Sequence, residues 1–182
     1  MSETDLHGPN LKSDCAQCAA LCCMVFEFEP GPDFSIDKPA GVGCVHLSGH
    51  MTCVIHANRV AKGFGGCLKF DCLGAGQRVT QEVFHGGDWR ADPTLTPRMI
   101  EAFRILREIH RFYELLELVG RLPLSDAQHQ MRLAFMGQLH PPEPWTETAL
   151  DALDDAALFR AINEFLKTLK EAAKSAQYPK MP

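Results

Sequence analysis

Eight cysteines, Cys15, Cys18, Cys22, Cys23, Cys44, Cys53, Cys67 and Cys72, lie between positions 15 and 72 of a 182-residue chain, and none follows. Thiols grouped in this way can form disulfides, pack as small hydrophobes, or ligate a metal. The first seven residues are polar and acidic with no apolar h-region, so they do not read as a secretory signal. The expectation is a cytoplasmic protein with reduced thiols, which disfavours a disulfide framework. CxxC and CC patterns disfavour scattered packing. Ligation of zinc or an iron–sulfur cluster accounts best for the grouping.

The spacing suggests how ligands are presented. Asp14 followed by Gln17 reads as a capping box opening a helix. On that helix Cys15, Cys18 and Cys22 fall at i, i+3 and i+7, within roughly 60° of one another. The helix N-terminus is expected to lower the pKa of Cys15 and Cys18. Cys23 points about 100° further round. The other four cysteines complete this site or build a second one. Cys44-Val-His46 and Cys53-Val-Ile-His56 add two imidazoles, so His46 and His56 join the eight cysteines as candidate ligands. Mixed imidazole and thiolate suit zinc; an all-sulfur set suits zinc or iron–sulfur. His50 is unassigned, and the remaining histidines are scattered.

Cys15-Ala-Gln-Cys18, Cys22-Cys23, Cys44-Val-His-Leu47, Cys53-Val-Ile-His56 and Cys67 together resemble the YkgJ-like cysteine-cluster family, described as zinc- or iron-chelating. The resemblance covers roughly residues 15–72. Two departures stand out: an extra residue before the Cys22-Cys23 pair, and Lys62-Gly-Phe-Gly-Gly66 where the family has Arg-Pro before its last cysteine. A similar cluster in flagellin lysine N-methylases is associated with iron–sulfur chemistry. That likeness, with the excess of cysteine over neighbouring histidine, favours iron–sulfur over zinc. Phe34-Ser-Ile-Asp-Lys-Pro-Ala-Gly41, and the stretch from Ile55 through Gly63-Phe-Gly-Gly-Cys67 to Gln77, also resemble the N-terminal region of some bacterial pentapeptide-repeat proteins. The pentapeptide repeat itself is absent, so the likeness implies a shared cysteine module and a bacterial origin.

The elements that must position these groups are less regular. Met24 to Glu29 alternates weakly and reads as a short strand with Glu27 and Glu29 on one solvated face. The glycines of residues 63–76 imply a tight loop that lets backbone approach the sulfurs or turn around Cys67 and Cys72. Gly74-Ala-Gly76 lacks the rest of a phosphate loop. From Thr96, with Pro97 at the first helical position, a helix is expected. Its apolar face is Ala102, Ile105, Ile109, Phe112, Leu116 and Val119, opposite the charged Glu101, Arg104, Glu108 and Arg111. Gly120 ends it. Ser125 with Gln128 caps a second helix to about Gln138. His140-Pro-Pro-Glu-Pro144 is a stiff linker. Thr146 opens a third segment, restarted or bent near Asp154 and Asp155, with Leu158, Ile162, Phe165, Leu166, Leu169 and Ala173 as one stripe.

The fold class is therefore mainly α: a small irregular cysteine-rich metal module (residues 1–90, with short helix and strand pieces) followed by a helical bundle (91–182) packed on it. Apolar residues make up 46% and charged residues 23%, which excludes a disordered chain. With 18 Lys+Arg against 23 Asp+Glu and neither half basic, nucleic-acid binding is not expected. No apolar run reaches the length of a membrane span. The functional expectation is a metal-binding protein, with redox or metal sensing through the helical half, which could also carry a protein partner or a homo-oligomer interface. The alternatives are a cluster-dependent modifying enzyme of the methylase kind, although no nucleotide or S-adenosylmethionine motif is present, and a structural zinc module for protein interaction.

Overall fold

A computed structural model describes residues 8–169, and they are mainly helical. The axis of the molecule is α4, Leu95–Val119. At 1.5 Å per residue its 25 residues run about 37 Å. It buries Met99, Ala102, Phe103, Ile105, Leu106, Ile109, Phe112, Tyr113 and Leu116, the expected face widened by its aromatic neighbours. Each large side chain of this kind contributes about 1.5–3 kcal/mol on full burial. Val119 is partly buried at the helix end. Arg104 pairs with Glu101, and Arg111 with Glu108, at 2.7 and 2.8 Å on the outer face. The helix starts earlier than expected. Thr94 occupies the cap position, and Pro97 is the third helical residue, where its missing N–H still costs no intrahelical bond.

Helices α5 (Asp126–Leu139), α6 (Glu147–Asp151) and α7 (Asp155–Thr168) pack against α4. Their caps are the expected ones. Ser125 accepts from the Gln128 N–H, and the Gln128 side chain returns to the Ser125 N–H. The Thr146 and Asp154 side chains accept from Ala149 and Ala157. Asp154 restarts the chain as a separate helix, whose Leu158, Ile162 and Phe165 are buried on one stripe. Ala173 lies outside the described residues.

The N-terminal half contradicts several local expectations. Residues 15–22 do not form one helix. A 3-10 turn, Cys15–Gln17, is followed by extended backbone at Cys18 (φ −116°, ψ 136°) and by Ala20 in the left-handed region (φ 54°). Only then does α1, Leu21–Val25, begin. Asp14 does cap the turn, but from its carboxylate to Ala16 N–H. Its own N–H donates to Gln77 Oε1 at 2.7 Å, so the reciprocal arm comes from a distant glutamine instead of Gln17. Met24 and Val25 are helical, not strand. The extended piece is reduced to a single bridge, Phe28 to Lys38, with Glu27 and Glu29 exposed on either side of buried Phe28. A second bridge joins Leu47 to Cys53. The 63–76 stretch contains two one-turn helices, α2 (Gly66–Lys69) and α3 (Ala75–Arg78), the latter running into a π-helical turn, Val79–Val83.

Two apolar clusters organise the described residues. The larger takes Ala19, Leu21, Met24, Ala75, Val79, Val83 and Trp89 into the same core as α4 to α7. Trp89 Nε1–H donates to Ala19 O at 2.7 Å and ties the start of α1 to this core. The smaller is aromatic. Phe28 stacks on Phe34 at 4.1 Å, and Phe64 stands edge-on to both.

Candidate metal centre

None of the eight cysteines is in a disulfide. Cys15 is exposed, Cys44 is buried, and the other six are half-buried. The chain holds them from four places: the 3-10 turn and α1, the 44–53 hairpin, α2, and the turn into α3.

At α3 the sulfurs of Cys18 and Cys72 face one point. A Cβ built on Gly76 would lie 2.7 Å from Cys18 Sγ and 3.8 Å from Cys72 Sγ. Gly76 thus leaves the space that two thiols share. Gly74 permits the turn itself, at φ +77° with Asn10 O packed against it. Ser13 Oγ is 3.1 Å from Cys72 Sγ and donates to Asp71 at 2.6 Å. Gln77 accepts from Asp14 N–H and donates to Lys12 O at 2.8 Å, which fixes the 12–15 segment beside α3. Thr80 Oγ1 accepts from Ala19 N–H, donates to Gly76 O, and hydrogen-bonds the Cys18 thiol.

Around the aromatic cluster, Cys23, Cys44 and Cys67 pack with Phe28, Phe64 and Ile55. The Cys44 N–H donates to Cys23 O at 3.0 Å. The Leu47–Cys53 bridge, with Val54 N–H to His46 O at 3.0 Å, holds Cys53 to the strand-like segment that begins at Cys44. Lys38 is buried beneath this group. Its ammonium donates to the carbonyls of Val42, Pro39 and Met24 at 2.8, 3.0 and 3.4 Å and lies over the Phe28 ring. Burial lowers the Lys38 pKa, and Cys44 and Cys23 pull it back up.

Four of the thiols, Cys15, Cys18, Cys22 and Cys67, are harder to ionise than a free thiol. Burial raises Cys15, with Cys22 and Cys72 adding to the shift. Burial pushes Cys18 up to about 11, partly offset by hydrogen bonds from Leu21 and Thr80. Burial likewise takes Cys67 to about 11, with Cys22, Cys44 and Cys53 contributing. The hydrogen bond with Cys23, and then burial, move Cys22 well above the usual thiol range. The expected lowering of Cys15 and Cys18 is therefore reversed. A one-turn 3-10 element provides little dipole, and desolvation with neighbouring sulfurs outweighs it. A cation reverses that balance, because it binds thiolate and supplies the missing positive charge.

Among the described residues no three His, Cys, Asp or Glu side chains already converge tightly enough to hold one metal ion. The donor chemistry, eight thiols, fits zinc or an iron–sulfur cluster. Closing a coordination shell requires the thiols to swing inward between staggered χ1 rotamers and to lose their protons. The two candidate imidazoles are placed differently. His46 is half-buried with its ring edge-on to Phe64 at 4.8 Å, and His56 is exposed in a 3-10 turn, His56–Asn58.

Residues that sequence spacing did not single out support the site: Ser13, Lys38, Gln77, Thr80 and His110. His110 is fully buried in α4. Its Nδ1 is 2.6 Å from Leu73 O, next to Cys72, and its Nε2 is 3.2 Å from Arg78 Nη1. Arg78 makes a two-pronged contact with Glu82, and Glu82 accepts from Trp145 N–H at the start of the third helical segment. A polar side chain on the apolar face of a long helix was the one available signal for His110.

No protein-family model matches the chain, and no solved structure does. The chain is similar to YybG of Bacillus subtilis strain 168, an uncharacterized protein, at 29% identity over 185 residues. The alignment covers all of this chain and 66% of that protein, so the chain spans just under two thirds of the relative's length. No helix among the described residues is long and apolar enough to cross a membrane.

Proposed function

We propose that this is a metal-binding protein whose cysteines carry an iron–sulfur cluster or zinc, with the helical half responding to the state of that centre. The observation that carries the reading is the grouping of all eight thiols, none in a disulfide, within residues 15–72, with Gly76 leaving room for the sulfurs of Cys18 and Cys72. Neighbouring thiols raise the pKa of Cys15, Cys18, Cys22 and Cys67, so ionising these cysteines together is costly without a cation. A structural zinc in a small peptide contributes about 10–16 kcal/mol, comparable to the whole net stability of a domain. The irregular chain from Gly8 to Phe70 reaches the large core mainly through Ala19, Leu21 and Met24 and otherwise rests on the small aromatic cluster. Reduced thiols favour a cytoplasmic setting. The likeness to YkgJ-like proteins, and to the cluster of flagellin lysine N-methylases, is what favours iron.

The metal's charge supplies the electrostatics that make thiolates stable. A cluster would add electron transfer; zinc would add only structure. The chain's own residues do the rest. Thr80 and Ser13 hydrogen-bond sulfurs, Lys38 places a buried ammonium near Cys23 and Cys44, and Trp89 and His110 connect the loops to α4. These last two contacts are the route by which a change at the thiols reaches the bundle. Anaerobic purification followed by iron, zinc and acid-labile sulfide analysis tests the reading. Brown protein with iron and sulfide supports the cluster. Colourless protein with stoichiometric zinc supports the structural alternative.

A further inference from the structure

We propose that the eight thiols form two separate four-cysteine sites: Cys15, Cys18, Cys22 and Cys72 in one, and Cys23, Cys44, Cys53 and Cys67 in the other. Each takes one thiophilic divalent cation or one iron–sulfur cluster, and the proposal rests on the metal-binding reading above.

The division begins at the adjacent pair. Successive residues of a helix project about 100° apart. On α1 this sends Cys22 to the large core, where Cys18 and Cys72 also pack, and Cys23 to the small aromatic cluster, where Cys44 and Cys67 pack. Independent contacts complete each set. In the first, Cys18 and Cys72 share the space beside Gly76. Ser13, two residues before Cys15, hydrogen-bonds Cys72, and Gln77 fastens the segment leading into Cys15 to α3 on both sides of Ser13. In the second, the Cys44 N–H is bonded to Cys23 O, and the hairpin bridge brings Cys53 back alongside the 44–47 segment. Each set also has its own polar neighbour, Thr80 for the first and Lys38 for the second. Four sulfurs are a full complement for tetrahedral zinc or for a cluster. His46, turned edge-on to Phe64, and His56, exposed in its turn, are then not ligands.

Full-length, reduced, chelator-treated protein is loaded anaerobically with Zn2+ in one arm and with iron and sulfide in the other. Metal bound per chain is counted after gel filtration for wild type, Cys72→Ala, Cys53→Ala and the double variant. The expected result is two zinc ions or two clusters for wild type, half for each single variant, and none for the double variant. One equivalent in wild type, abolished by either single substitution, overturns the two-site division but leaves the metal-binding reading standing. No binding in either arm overturns both. Wild type alone gives a second readout that does not depend on the variants folding. With one equivalent of Zn2+, alkylation followed by mass spectrometry should show cysteines protected in the two proposed groups of four. Protected groups that mix the two sets overturn the proposal.

Discussion

Replacing Gly76 by alanine tests the shared sulfur space directly. Two opposing effects can be sized. Alanine is preferred over glycine within a helix by about 1 kcal/mol, so α3 alone would gain that much. Against it, the new Cβ would lie 2.7 Å from Cys18 Sγ, well inside contact distance. Carbon atoms in good contact sit at about 3.5–4.0 Å, and forcing an extra methyl into a packed site costs about 1–3 kcal/mol. Cys18 has little freedom to retreat, since Ala19 N–H is bonded to Thr80 and Leu21 N–H to the thiol. Gly76→Ala should therefore destabilise the metal-free protein by about 1 kcal/mol net. In a Cys18→Ala background the clash disappears. The nearest remaining atoms, Cys18 Cβ at 3.7 Å and Cys72 Sγ at 3.8 Å, are ordinary contacts. There the same substitution should stabilise by about 1 kcal/mol, giving a coupling of about 2 kcal/mol. Urea unfolding of the four proteins, reduced and with chelator, measures it. If Gly76→Ala has the same effect in both backgrounds, Cys18 does not point where the structure puts it.

His110 should make stability depend on pH between its unfolded and folded pKa values. Burial, with Arg78 also opposing protonation, lowers it from 6.5 to about 4. The unfolded chain binds the proton more readily, so the contribution is fully present above pH 6.5 and is lost as pH falls towards 4. Its size is about 3 kcal/mol. Denaturation of wild type and His110→Gln at several pH values should show that slope in wild type only; parallel curves contradict it. Lys38→Met keeps the stem but leaves three carbonyls without their shared ammonium donor. A loss of about 1–3 kcal/mol is expected, with faster amide exchange at the backbone around Met24 and Val42, and an unchanged exchange pattern would refute it. Ser125→Ala removes one arm of the α5 capping box. It should cost about 1 kcal/mol while leaving metal content at the wild-type value, whereas a drop in metal content would show the helical half taking part in ligation.

The helical half was legible because its signals are local and periodic. Ser125-x-x-Gln128, Thr146 and Asp154 each announced a helix start that the backbone adopts, and the α4 stripe from Ala102 to Leu116 became core. The start of α4 was misplaced because Pro97 serves equally well as a first or third helical residue. The cysteine half was legible in composition but not in conformation. Cys15, Cys18 and Cys22 have helical spacing, yet Ala20 in the left-handed region breaks the turn. What overrides the local pattern is tertiary: Gln77 takes the N–H of Asp14, and Thr80 takes that of Ala19. Partners sixty residues away leave no mark on local periodicity. The same is true of Lys38 and His110, whose roles follow from burial against carbonyls that no motif encodes.

The central claim is that these thiols hold metal in the native protein. Its most direct measurement is the number of reactive thiols in anaerobically purified, folded, full-length protein, taken together with metal content and repeated after chelation. The account predicts bound iron or zinc, most of the eight cysteines protected, and all eight released when the metal is removed. Metal-free protein whose eight thiols all react at once, with its far-UV spectrum unchanged by added metal, would contradict it.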